Sequence, residues 1–252
     1  MDFVFNVLIA AQGRSLTRRP RTPGLDNLDL SLVIGKKKVQ PLSLTIPLLW
    51  KGNNAPSYFT WNINQKTTEK IDDSNIAIID LTVTNINRRL DMKRPTDLGL
   101  IVELINQGSE NRIPVLVRIL AGDTDNDLDI VIKSGADGVI LVSDKIPIEA
   151  GLISSRNYKN ELTILAEVNK LNYEEAAKLL SLGASGIFLN NNCGGKELEE
   201  FGSNLSRTVG SLGVGKISDL GPEHLRTTSQ ETATMTGIPL AGYNSVLPLW
   251  RH

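Results

Sequence analysis

The chain has 252 residues, 40% of them hydrophobic and 22% charged, with 27 Lys and Arg against 28 Asp and Glu. That balance suits a soluble globular protein with a sizeable core, and it lacks the bulk charge that draws nucleic acid or an acidic membrane surface. A single cysteine, Cys193, excludes an internal disulfide and any cysteine-rich metal or iron–sulfur site within the chain, and it fits a reducing cytoplasm.

The opening run MDFVFNVLIAAQGR is apolar, but Asp2 stands where a signal peptide needs positive charge and Asn6 interrupts the run, so export is not expected. No segment approaches the ~18 uninterrupted apolar residues of a membrane helix. Residues 13–47 read as an irregular basic segment, with Arg14, Arg18, Arg19 and Arg21 crowded around Pro20 and Pro23. Charge runs of this kind are commonly solvated arms, and that reading is preferred to a phosphate-gripping patch.

From Leu44 onward strands and helices alternate. Strands are predicted over 44–49 and 76–81, then a helix over 97–107 with Leu98, Ile101, Val102 and Ile105 on one face. A strand at 115–120, a helix at 125–134 closed by Gly135, and strands at 138–142 and 162–168 follow. Asn172 with Glu175 forms a variant capping box for a helix ending at Gly183. A strand at 186–189 and a helix over 196–212, stopped by Gly213, complete the pattern. Such alternation implies βαβ units and a parallel sheet. In the tail, Ser229 is placed to cap a short helix ending at Gly237.

Two phrases nearly repeat, SGADGVIL at 134–141 and LGASGIFL at 182–189. A helix ending in Gly-Ala and feeding a strand is the recurring unit of flavin- and phosphate-binding TIM barrels. The span 44–212 holds six βα units comfortably and eight only with minimal loops. The expected fold is therefore α/β, a TIM-barrel-like parallel barrel contracted to six to eight strands. A basic arm over 1–43 and an extension over 213–252 are expected to pack on that barrel.

The stretch LGVGKISDLGPEHLRTTSQETATMTGIPLAGY, residues 212–243, resembles the C-terminal end of the flavin domain of glutamate synthases, particularly the stand-alone archaeal kind. There a helix ends in LGV, an "SDL…HLR" segment follows, then a run close to "ETAxxTGIPLAG". The segment GRSLTRRPRTPGLDNLDLSLVIG followed by PLSLTIPL is similar to the family's lead into its barrel. The resemblance implies an FMN-binding oxidoreductase domain of glutamate metabolism. It also implies an oligomer working with amidotransferase or β-helical subunits.

The family lysine beside the flavin, in a phrase like "VSVKLVAGPGVG", matches Arg118 in VLVRILAGDTDN. A guanidinium there keeps the charge for a reduced flavin; pairing with a nearby carboxylate is the equal alternative. Other motifs depart. The "GGTGASP" loop becomes SDKIPIE at 143–149, where Pro147 lacks an N–H and two acids repel anions. The "DGG" becomes Glu167 to Lys170, the "GT" becomes Asn190, Asn191 and Asn192, and the three cluster cysteines are absent. Candidate cofactor contacts are thus Arg118, Lys170, Asn190, Asn191 and an anion nest at Gly194, Gly195 and Lys196, for which a bland glycine turn is the simpler reading.

No catalytic residue is assigned. The acidic run Asp123 to Asp129 fails the calcium-loop pattern at Leu128 and Ser134, so no metal is expected, and acids at a helix start suit the macrodipole. His224 and His252 are too few for a zinc site or a triad, and His224 is read as structural. Three readings stay open: a flavin oxidoreductase domain, a flavin-free relative serving as scaffold or regulatory subunit, and a different TIM-barrel enzyme on a phosphate-bearing substrate.

Overall fold

The computed structural model describes residues 7–9, 28–35, 39–52, 54–61, 74–82, 95–109, 111–122 and 124–241. The arginines of the basic arm, Asp123 and His252 lie outside them. No described helix is long and apolar enough to cross a membrane. The described chain forms two compact units.

The first unit comprises residues 31–170 and 184–194. Its centre is a seven-stranded sheet of β4 (Leu48–Lys51), β5 (Tyr58–Trp61), β6 (Ile76–Asp80), β7 (Val115–Leu120), β8 (Gly138–Val142), β9 (Thr163–Val168) and β10 (Gly186–Asn192). The order is β4-β10-β9-β8-β7-β6-β5 and every pairing is parallel. This is a TIM-barrel-like α/β sheet, curled and open between β4 and β5. Both faces are covered, which is why β6, β7, β8 and β9 read as nearly continuous apolar runs.

Strand alternation sorts these residues onto two faces. Leu49, Ile76, Ile78, Leu116, Ile140, Leu165 and Phe188 share one buried cluster inside the curl. Leu32, Ile34 and Leu44 join that cluster from a hairpin of β2 (Leu32–Ile34) and β3 (Leu42–Leu44). The hairpin meets the N-terminal ends of the strands: a Cβ on Gly186 would lie 2.6 Å from Leu32 Cδ2, and Gln40 N–H bonds to Arg112 O at 2.8 Å. The predicted strand 44–49 is in fact split between β3 and β4. Thr45 to Pro47 bend between them, because Pro47 has no N–H to donate to a ladder.

The helices of this unit are α1 (Pro95–Gly108), α2 (Thr124–Ser134) and α3 (Ile148–Ser155), with α1 against α2 and α2 against α3. Asp125 and Asp127 stand in the first turn of α2, where the helix dipole favours them. Leu98, Val102 and Ile105 are the buried face of α1, as the period predicts.

The near-repeat has a physical cause. Gly135 and Gly183 end their helices at φ +83° and +126°, which glycine adopts freely. Two residues later, Asp137 Oδ2 accepts Val115 N–H at 3.0 Å, and Ser185 Oγ accepts Ile164 N–H at 3.2 Å. The same positions donate their own N–H to Val115 O at 2.8 Å and Ile164 O at 2.7 Å. Each copy thus clamps the start of its strand to the preceding one.

The second unit comprises residues 1–30, 171–183 and 195–252, of which it contains β1 (Val7–Ile9), α4 (Tyr173–Leu182), α5 (Gly195–Ser211), β11 (Leu225–Thr227) and α6 (Gln230–Thr236). β1 pairs antiparallel with β11, and α4 packs on α5. Asn172 caps α4 as expected, its Oδ1 accepting from Glu174 and Glu175 N–H at 2.9 and 3.2 Å. Ser229 Oγ accepts Thr232 N–H at 3.3 Å, and α6 stops at Gly237 with φ +72°. Ile217, Leu220, Leu225 and Ile238 are buried, whereas Met235 is 73% exposed. His224 Nδ1 accepts Gly221 N–H at 3.1 Å and closes the Pro222–His224 turn, a structural role.

Candidate functional site

One inward-facing residue further along β4, β6, β7, β9 and β10, the apolar lining of the curl gives way to polar groups. Asp80 follows Ile78, Arg118 follows Leu116, Glu167 follows Leu165, Asn190 follows Phe188 and Lys51 follows Leu49, each by two residues. The period of two and the parallel register place all five at the C-terminal end of the sheet, the end that carries the active site in this fold.

They form one hydrogen-bonded belt. Arg118 grips Glu167 in a two-pronged pair, Nε to Oε2 and Nη2 to Oε1, both at 2.7 Å. Its Nη1 donates to Asp80 Oδ2 at 2.9 Å and to Thr82 Oγ1 at 2.7 Å. Asp80 Oδ1 accepts Thr82 N–H and Oγ1–H at 2.9 and 2.7 Å, closing the β6 end into a turn. On the other side, Asn190 Nδ2 reaches Glu167 Oε1 at 3.4 Å, and Lys51 Nζ donates to Asn190 Oδ1 at 2.8 Å. Two cations and two carboxylates share the belt. The side chains of Arg118, Asp80 and Glu167 are 16%, 14% and 7% exposed, so these charges are largely out of water. The hydrogen bonds that Arg118 donates to Glu167, opposed by desolvation, raise the Arg118 pKa further above its ordinary value. Arg118 is a fixed cation at any working pH.

Tyr58 faces the same space. Its ring stands edge-on to Phe188, with centroids 6.2 Å apart at 69°, and Lys51 Nζ lies 5.7 Å from its centroid. The hydroxyl is sheltered and has no hydrogen-bond partner. Burial first, then the charge of Glu167, pushes the phenol up to about 12, with Arg118 opposing. Because the folded value is raised, the phenol leaves stability unchanged below pH 10 and lowers it as pH rises from there through about 12. An ultraviolet absorbance titration should lose one component near pH 12 in Tyr58→Phe; a component lost near pH 10 would contradict the environment described.

Of the residues singled out from sequence, the belt brings together Arg118 and Asn190. Asn191 is exposed and its Nδ2 donates to Asn169 O at 2.7 Å, while Lys170 is exposed beyond the end of β9. Gly194 is exposed with open space where a Cβ would stand. Gly195 and Lys196 are exposed residues in the first turn of α5, in the other compact unit. The loop 143–147 leads into α3 with Pro147 at its N-cap, and Glu149 is a buried first-turn residue of that helix. Lys51, Asp80, Thr82, Tyr58 and the pairing role of Glu167 were not singled out. Polar residues placed two beyond an inward apolar one, at the end of successive strands, were the available signal.

No family model matches the chain, and no curated protein sequence matches it. Solved structures do. An active chimera of (S)-mandelate dehydrogenase is similar with a TM-score of 0.62 at 13% identity, over 90% of this chain and 89% of that one. A soluble mutant of the membrane-associated (S)-mandelate dehydrogenase from Pseudomonas putida gives 0.59 at 13% identity over the same shares. A flavocytochrome b2 mutant with benzoylformate gives 0.53 at 15% identity, over 98% of this chain and 81% of that one. The fold is that of these TIM-barrel oxidoreductases. At such identities the likeness is one of fold, and chemistry rests on the residues of the belt.

Proposed function

We propose that this chain is a divergent relative of the glutamate synthase flavin domain that keeps the oxidoreductase shell and serves as a flavin-free scaffold or regulatory subunit in the cytoplasm. The observation that carries the reading is the state of Arg118. Four of its N–H donor directions are committed to Glu167, Asp80 and Thr82, and two carboxylates neutralise its charge. A flavin ring or phosphate would have to displace them. Of the backbone donors that hold a phosphate in this fold, Pro147 supplies none, and the side-chain amide of Asn191 is already given to Asn169 O. The residues of the mouth therefore do not fit FMN well. Amidotransferase or β-helical subunits of the glutamate synthase type are the partners this reading implies, in an oligomeric assembly.

The likeness of fold to mandelate dehydrogenase and flavocytochrome b2 favours the second reading, an FMN-dependent oxidoreductase. Calorimetric titration of the purified chain with FMN separates them. The expected result is a colourless protein with no saturable binding at micromolar flavin, because two or three missing charge-assisted bonds at ~1.5–3 kcal/mol each remove several orders of magnitude in affinity. A tight one-to-one complex weakened by Arg118→Ala would overturn the flavin-free reading.

A further inference from the structure

The sheet order puts β4 and β5 at opposite edges, and no described residues pair their backbones. The sheet nevertheless curls until those edges face one another, since Lys51 on β4 lies over the ring of Tyr58 on β5. We propose that Lys51 and Tyr58 form a strap that holds the two edges of the open sheet together across this seam, where strand pairing does not.

Both halves of the strap are anchored from behind. Lys51 is tied through Asn190 to Glu167, which Arg118 fixes from β7. The ammonium therefore stands at the end of a belt that begins on β6 and passes β7, β9 and β10. Tyr58 is braced by the edge contact with Phe188, so its ring face is presented to the ammonium. A cation within about 6 Å of a ring centroid is attracted by the ring's quadrupole. The ring, and not the hydroxyl, does the holding. The hydroxyl has no partner, and a sheltered unpaired hydroxyl costs stability. Seen this way, the belt is a closure as well as a site. Any ligand that draws Glu167 away from Asn190 also loosens the anchor of Lys51 and with it the seam. The proposal is independent of whether flavin binds.

Hydrogen exchange on the full chain tests it by comparing β4 and β5 with the central strand β8. Lys51→Met and Tyr58→Leu are expected to raise exchange in residues 48–51 and 58–61 by roughly two- to fivefold, the worth of a cation–π contact, with β8 unchanged. Tyr58→Phe keeps the ring and is expected to leave the edges as they are. The strap is refuted if Lys51→Met leaves edge exchange unaltered, if Tyr58→Phe matches Tyr58→Leu, or if β8 rises together with the edges. Should Tyr58→Leu fail to fold, the contrast between Lys51→Met and Tyr58→Phe decides alone.

Discussion

Replacing Arg118 with methionine is expected to destabilise the chain by about 3–5 kcal/mol, the range for breaking a buried ion pair from one side. The guanidinium holds Glu167 by two bonds and Asp80 by one, with all three side chains mostly shielded from water. Methionine fills much of the same volume but leaves two carboxylates facing each other with no cation between them. Lys51 is held by Asn190 and cannot replace both contacts. Removing charge from both partners tells a different story. The double variant Arg118→Met/Glu167→Met is expected to recover much of the loss, because an apolar pair no longer carries an uncompensated charge. Asp80 keeps Thr82 as a donor in either background. Urea unfolding of the single and double variants measures the coupling. Equal losses in Arg118→Met and the double variant would mean that the pair is not coupled as described.

Gly138→Ala should be nearly as damaging, with a loss of about 3 kcal/mol, at the upper end for overpacking. Gly138 opens β8 between Leu116 of β7 and Thr163 of β9. A Cβ there would press on the Thr163 carbonyl oxygen and lie 2.9 Å from Leu116 Cδ2 and 3.0 Å from Thr163 Cβ. The first obstacle is backbone of the neighbouring strand, which cannot move without breaking the register of the sheet's centre. Gly194→Ala is the control, since open space surrounds its position and the change should stay within about 0.5 kcal/mol. Thermal or urea midpoints of the two variants suffice. Comparable small effects at both sites would show that β8 and β9 can separate at little cost.

The two halves of the candidate site were unequally legible. Arg118 stood out because the resemblance places it on the family lysine beside the flavin, and its two readings, flavin contact or carboxylate partner, were balanced. The structure supplies the carboxylates. Glu167 is 49 residues away in sequence and Asp80 is 38, separations that carry no local signal. Asn190 was expected as a replacement in a phosphate loop, yet its side chain is the link between Lys51 and Glu167. Lys51 and Tyr58 read locally as the ordinary polar and aromatic ends of short strands.

What the sequence by itself determined are the features that depend on neighbours in the chain. The caps at Asn172 and Ser229, the glycine stops at Gly135, Gly183 and Gly237, the apolar face of α1 and the parallel βα alternation are written in short-range spacing. Backbone hydrogen bonds at helix ends must be met within a turn or two, so the signal lies beside the structure it produces. Tertiary structure alone decided which strands adjoin, that β4 sits next to β10 instead of β5, and hence that a seam exists. It also decided which polar groups converge, because a partner in a parallel sheet depends on strand order and register across dozens of residues. Ion pairs at that range leave no period in the chain.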